Sequence, residues 1–389
     1  MSEWQQTTLG KVLTLQRGYD LPSHQRVSGK YPIVSSSGIT DYHNQYKVDP
    51  PGVITGRYGT IGEVYYIDER FWPLNTTLFV KDFKGNDVRF ISYLLESLNI
   101  KELNVAGAVP GVNRNHLHML KVSLPRLPTQ QKIAKILSNY DDLIENNLKR
   151  IKLLEESSRL TYEEWFLRFR IDGKKLDIDP ESGLPFGWLN KSFGDVFNIN
   201  NGYAFKSGDY AEHGVPILRT RDYSQTKWIK IDQPIYISEE LSQKYTKYYV
   251  QEYDLMLIMV GASIGNYGVV LPNDTGLLQN QNQWAIRVNN GFEKYIFYKL
   301  LMMEDLIKNL LTKKTGAARD FFRASFLKEL DILLPDEDTV TLLNKTVQPT
   351  FEEINNLQHQ NQLLKEARDI LLPRLMTGMI DTDELDIAI

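Results

Sequence analysis

Residues 133–166, IAKILSNYDDLIENNLKRIKLLEESSRLTYEEWF, recur as residues 343–376, LNKTVQPTFEEINNLQHQNQLLKEARDILLPRLM. A shift of 210 carries Ile144 onto Ile354, Asn146 onto Asn356, Leu153-Leu154 onto Leu363-Leu364 and Glu156 onto Glu366. It also carries Leu120 to Leu330 and Pro125 to Pro335, upstream of each copy. A long repeat at constant offset implies two units of one design, each a globular head followed by a long helix. In the first copy Leu137, Tyr140, Ile144, Asn147, Ile151, Leu154, Ser158, Thr161 and Trp165 alternate steps of three and four, the spacing of a coiled-coil seam. In the second, Val347, Thr350, Ile354, Leu357, Asn361, Leu364, Arg368, Leu371 and Leu375 keep that register. Thirty-four helical residues make a rod of roughly 50 Å. Antiparallel packing of the two rods sets Asn147 opposite Asn361, Ile144 opposite Leu364 and Leu154 opposite Ile354. A buried asparagine pair fixes register at some cost in stability. Pro349 is expected to bend or delay the second helix, and Pro373 sits near its end.

Outward from the rods, each head reads as short strands with one helix. The first has strand-like runs at Val12–Leu15, Val53–Thr55, Val64–Ile67, Leu78–Val80 and Leu120–Leu124, and a helix near Val88–Leu98. The second has such runs at Ile229–Ile237, Leu255–Val260, Gly268–Leu271 and Trp284–Val288, and a helical stretch near Glu293–Leu311. Landmarks recur in order. Leu9-Gly10-Lys11-Val12 and Gly18-Tyr19 match Phe193-Gly194-Asp195-Val196 and Gly202-Tyr203; Tyr31-Pro32-Ile33 matches Val215-Pro216-Ile217. Thr60-Ile61-Gly62 matches Ser263-Ile264-Gly265, and Ala106-Gly107-Ala108 matches Thr315-Gly316-Ala317. The second head gains most of its extra residues between Ile217 and Val260, and insertions in a repeated scaffold fall in loops, where function sits. The fold class is therefore α+β: two mixed α/β domains with twisted sheets, separated by two long helices forming an antiparallel coiled coil. The expected division is 1–127, 128–169, 170–337 and 338–389.

Composition narrows the function. At 389 residues, 42% hydrophobic and 24% charged, the chain is large enough for two or three globular domains. It has no cysteine, which excludes disulfides and thiolate metal sites and fits a reducing, cytoplasmic setting. No run of about 18 apolar residues predicts a membrane span. Asp49-Pro50-Pro51-Gly52 reads as a turn, because it lacks the aromatic of a methyltransferase motif and follows no apolar strand. Neither a phosphate loop nor a nucleophilic or carboxylate catalytic set stands out. His116 and His118 could share one face of a strand, but no third ligand lies near, so no metal site is expected. The chain reads as non-catalytic. Its net charge of -4 is unusual for a protein gripping nucleic acid alone, since neutralised phosphates supply most of that affinity. Either it leaves nucleic acid alone or a partner contributes positive surface.

What remains is contact chemistry on matched loops. Ser35, Ser36 and Ser37 follow one landmark strand, and Arg219, Arg221, Asp222 and Tyr223 follow its counterpart. Arg57 and Tyr58 precede the Thr60-Ile61-Gly62 turn, and Ser263 opens the matching one. Asn75-Thr76-Thr77 stands where the second head carries the amide-rich run Gln279-Asn280-Gln281-Asn282-Gln283, and Asn75, Thr76, Asn280, Gln281 and Asn282 are the candidates there. Arginine pairs with guanine and amides pair with adenine in the major groove. Arg114, Lys313, Lys314 and Arg319 flank glycine turns and suit phosphate contacts.

These features together resemble the DNA specificity subunit of type I restriction-modification systems, over essentially the whole chain. The resemblance is carried by Trp4 with Leu9-Gly10 and Gly18-Tyr19; by Leu124-Pro125-x-x-Pro128-Thr129-Gln130-Gln131-Lys132-Ile133; by Leu184-Pro185-x-Gly187-Trp188; and by Leu371-Leu372-Pro373-Arg374-Leu375-Met376-Thr377-Gly378. It implies two target-recognition domains, each reading half of a split asymmetric site on double-stranded DNA. It implies that the helices act as a ruler and dock two methyltransferase subunits, with a restriction motor-nuclease subunit joining in some systems. S-adenosylmethionine, ATP and magnesium are then expected in those partners, the methyltransferases acting on adenine N6, and no cofactor on this chain. One departure is Asp336-Glu337-Asp338-Thr339, where the first copy has Arg126-Leu127-Pro128-Thr129. Two other readings stay open at this point: a two-headed coiled-coil protein scaffold, and the reader part of a self-contained DNA methyltransferase.

Overall fold

The computed structural model describes residues 4–101, 111–223, 227–229, 231, 233–312 and 323–382. Two compact units emerge. One comprises Met1–Asn146 with Gln360–Ile389, the other Asn147–His359. Both boundaries fall inside the long helices, Leu127–Tyr162 and Glu337–Met376.

In the first unit a four-stranded antiparallel sheet runs in the order Thr14–Arg17, Thr77–Asp82, Gly52–Gly56, Val64–Ile67. Every residue of Gly52–Gly56 is buried, as expected of a strand covered on both faces. Helix Val88–Ser97 closes one face, burying Phe90, Ile91, Leu94 and Leu95. Its N-cap is Asp87, whose carboxylate accepts from the Phe90 amide at 2.8 Å. A second sheet joins Gly38–His43, Tyr31–Ser35 and Trp72–Pro73, the last pair parallel.

The second unit repeats this plan. Its four-stranded sheet runs Phe197–Asn201, Gln283–Val288, Leu255–Ile258, Tyr267–Val269, the same order along the chain. Val215–Leu218 pairs in parallel with Leu278–Gln279, as Tyr31–Ser35 does with Trp72–Pro73. Helix Ile296–Thr312 takes the place of Val88–Ser97. In each unit a strand before the head pairs with one after it: Gln5–Thr8 with Lys121–Leu124, and Leu189–Ser192 with Asp331–Leu334.

Within the first unit, Ile133, Ala134 and Leu137 share a core with Leu372, Leu375 and Met376. Arg368 donates to Asp141 at 2.8 Å, and Asp141 also accepts from the Tyr93 hydroxyl. Within the second, Ile151 shares a core with Val347, Ile354 and Leu357, and Arg150 pairs with Glu353. In each unit an early stretch of one helix packs on a late stretch of the other, the antiparallel sense. Every stripe residue of both copies is buried or half-buried. Leu143, Leu153, Leu363 and Ile370 lie off the stripe and are 51%, 70%, 51% and 55% exposed, so burial follows the stripe. Asn147 and Asn361 are both buried.

Several expectations change. Val12–Leu15 is not a strand: Leu9–Val12 forms a helical turn, closed by the Leu13 amide on the Leu9 carbonyl, and the strand starts at Thr14. Leu9, Val12 and Leu13 are all buried, and a turn of helix places that spacing on one side. Among the described residues of Ile229–Ile237 only Tyr236–Ile237 is a strand; the Gln233 carbonyl instead accepts from Arg219 and Arg221. His116 and His118 lie on the helix Arg114–His118, not a strand, and His118 Nε2 accepts from the Leu15 amide at 2.9 Å. Burial, with Arg114 and Lys84 nearby, lowers the His118 pKa and keeps the ring a neutral acceptor. Pro349 does not interrupt the second helix, which is continuous over Glu337–Met376. That helix begins at the acidic departure because Asp336 caps it, accepting from the Asp338 and Thr339 amides and from Trp188 Nε1.

Candidate nucleic-acid interface

In each head the sheet edges converge on three loops, and the same backbone hydrogen bonds fix them. In the first head the Leu74 amide donates to the Val34 carbonyl (2.9 Å), Tyr19 to Pro73 (2.8 Å) and Arg57 to Thr76 (2.9 Å). In the second, Asn280 donates to Leu218 (3.1 Å), Tyr203 to Gln279 (3.0 Å) and Met259 to Asn282 (3.2 Å). These pairs align Asn75-Thr76 with Gln281-Asn282, and Arg57 with Met259. The Thr60-Ile61-Gly62 and Ser263-Ile264-Gly265 turns also coincide. The Gly62 amide reaches Gly56 and that of Gly265 reaches Ile258, both glycines have positive φ, and both isoleucines are 7% exposed. Gly18 and Gly202 are required where the chain passes under the loop. A Cβ there would lie 2.1 Å from the Leu74 oxygen and 1.9 Å from the Asn280 oxygen, respectively.

The first head gathers Ser35, Ser36, Ser37, Arg57, Tyr58, Asn75 and Thr76 at this edge. The Ser35 and Ser37 hydroxyls share a hydrogen bond at 2.9 Å, and the Ser36 amide donates to Thr76 Oγ1 at 3.4 Å. The Asn75 amide is held by Asp20, which also takes Arg17. Arg57 lies over the Tyr58 ring at 4.5 Å, and that ring covers Gly111 so closely that a Cβ would sit 2.2 Å from it. A guanidinium stacked on an exposed phenol is pre-ordered for planar contacts. Arg114 is exposed two residues beyond Val112, whose amide donates to the Arg57 carbonyl.

The second head sorts its candidates differently. Arg219 is half-buried in a pair with the buried Asp222, whose carboxylate also accepts the Arg219 amide at 2.8 Å. These two hold the loop rather than project from it. Arg221 remains 57% exposed, with one nitrogen on the Gln233 carbonyl. The Tyr223 hydroxyl donates inward to Gln283, and burial beside Asp222 raises its pKa, so it stays a donor. Ser263, Gln281 and Asn282 are exposed and Asn280 half-exposed. Lys313, Lys314, Arg319 and the Ala106-Gly107-Ala108 and Thr315-Gly316-Ala317 landmarks lie outside the described residues. Sequence reasoning missed Asp20, Gln279 and Gln283 as holding groups. It also missed the ring cluster of Tyr203, Phe205, Tyr245 and Tyr248, with centroids 4.6–6.4 Å apart. The signal for that cluster was divided, with Tyr245 and Tyr248 in the inserted segment and Tyr203 in the Gly202-Tyr203 landmark.

Among the described residues no group of three or more acidic, His or Cys side chains could hold a metal. Among those residues, too, no helix is long and apolar enough to cross a membrane.

The fold and its doubled edge define a protein of two like domains built by duplication. The chain belongs to the type I restriction modification DNA specificity domain family, whose model matches twice, at residues 1–156 and 185–365. It is 25% identical over 296 residues to the type I restriction enzyme MjaIX specificity subunit of Methanocaldococcus jannaschii, covering 74% of this chain and 66% of that one. With the MjaVIII specificity subunit of that organism it shares 24% over 329 residues, 80% of this chain and 75% of the other. The chain thus spans just under two thirds of the first relative's length. The crystal structure of a type I restriction-modification S subunit from M. genitalium superposes with a TM-score of 0.58 at 17% identity, covering 96% of both chains, which shows a shared fold.

Proposed function

We propose that this chain is the DNA-reading subunit of a type I restriction-modification complex. Each head, 1–127 and 170–337, reads one half of an asymmetric, bipartite double-stranded DNA site. The helices of 128–169 and 338–389 set the interval between the halves and dock two methyltransferase subunits, with a restriction subunit added where the system has one. Catalysis belongs to those partners, which carry S-adenosylmethionine, ATP and magnesium. The observation that carries this reading is the recurrence of one hydrogen-bonded edge in both heads with different side chains on it: Arg57 against Met259, and Asn75-Thr76 against Gln281-Asn282. A shared frame with unlike side chains is what two distinct half-sites need. Two weak readers held at a matched span bind far better together than apart. The -4 charge fits partners that supply part of the positive surface around DNA.

The test is an electrophoretic shift on genomic DNA fragments, with the chain alone and with its co-expressed methyltransferase. Salt-sensitive, sequence-selective binding by the complex is expected. No selective binding in either form sinks the proposal, and stable capture of a different protein in its place favours a scaffold.

A further inference from the structure

Inside the run Gln279-Asn280-Gln281-Asn282-Gln283 the amides divide into two kinds. Gln279 and Gln283 are buried, 1% and 0% exposed, and their side chains are consumed within the protein. Gln279 Nε2 donates to the Asn200 carbonyl (3.1 Å) and the Gln283 carbonyl (2.9 Å), while Gln283 Nε2 donates to the Leu218 carbonyl (2.7 Å) and its Oε1 accepts from Tyr223. Between these clamps, Gln281 and Asn282 are exposed. Neither of their side-chain amides has a partner among the described residues. Their backbone is nonetheless fixed, because the Gln281 amide donates to the Tyr203 carbonyl and the Asn282 carbonyl accepts from Met259. Asn282 sits at φ +70°, a conformation asparagine tolerates better than most side chains.

Asp222 on the neighbouring loop is buried and paired with Arg219, so its carboxylate does not compete for the amides. The equivalent positions in the first head lack this freedom: Asn75 is held by Asp20, and Thr76 Oγ1 accepts from Ser36. A rigid turn offering free carboxamides matches the donor and acceptor pattern of adenine, N6-H2 and N7, in the major groove.

We infer that Gln281 and Asn282 are specificity-determining residues of the second head and that they read adenine. The inference rests on the DNA-reading function proposed above. The probe is a duplex library with randomised positions, selected by the full chain in complex with its methyltransferase and then sequenced. The variants are Gln281→Ala and Asn282→Gly, the latter chosen because glycine keeps the positive φ while removing the amide. Each should relax one adenine position in one half-site, lowering discrimination there on the order of ten- to a hundred-fold, with the other half-site unchanged. If the unaltered complex enriches no motif, the DNA-reading proposal fails. If it enriches a motif that both variants keep, or if binding weakens equally on all sequences, this inference is overturned. Should Asn282→Gly bind nothing, Asn282→Asp decides. It swaps a donor for an acceptor, so preference should move from adenine toward cytosine; retained adenine, or no binding by a folded protein, contradicts the assignment.

Discussion

Four residues inserted after Lys149 will change the number of base pairs between the two half-sites that the protein accepts, or abolish binding. The helix Leu127–Tyr162 is continuous and passes from one compact unit to the other between Asn146 and Asn147. Four helical residues add about 6 Å and turn the following face by about 40°. The seam downstream of the insertion, Ile151, Leu154 and Ser158, is buried or half-buried against its own unit, so that unit must move with the helix. A reader that depends on a matched span loses its linked affinity when the span changes, an effect of about 10²–10⁴-fold. The measurement is motif selection by the variant in its methyltransferase complex. An unchanged motif with an unchanged spacer would show that the helices do not set the interval.

Gly202→Ala will damage reading by the second head, and Gly18→Ala will do the same to the first. At Gly202 a Cβ would lie 1.9 Å from the oxygen and 2.5 Å from the carbon of Asn280; at Gly18 it would lie 2.1 and 2.6 Å from those of Leu74. Both obstacles are backbone, which cannot swing aside as a side chain can. The turn must therefore lift, breaking the hydrogen bond of Tyr203 to Gln279 or of Tyr19 to Pro73. Overpacking of this kind costs about 1–3 kcal/mol, and the affected unit should melt several degrees lower. Each variant should blur only the half-site its own head reads. Gly208→Ala is the control, because nothing lies within 4 Å of a Cβ there; it should leave melting and motif unchanged. Blurring of both halves by either variant would contradict independent heads.

The two experiments probe features that differed in how far the sequence exposed them. The seam was legible because Ile144, Ile151, Ile354 and Leu357 recur at helical spacing over many turns, and burial follows that spacing. The continuity of the second helix through Pro349 was not, since a proline's local cost says nothing about the packing of Val347 and Phe351 on either side. The short turn at Leu9–Val12 was hidden because a run of buried aliphatics suits a strand as well as one helical turn. The loops were found as matched landmarks, but their roles were not. Arg219 and Arg221 look alike in sequence and both reach Asp222; only burial, 11% against 57% side-chain exposure, separates a holding arginine from an exposed one. Likewise the five-residue amide run shows no division until the strand pairing buries Gln279 and Gln283 and leaves Gln281 and Asn282 outside. Tertiary partners assign such roles, and a local pattern does not contain them.

The most direct measurement is a map of methylated adenines in DNA from cells expressing this chain with its methyltransferase. Two short, unlike half-sites at one fixed interval are predicted, each with a modified adenine. Methylation confined to a single uninterrupted motif, or to a motif that survives deletion of this chain, would contradict the account.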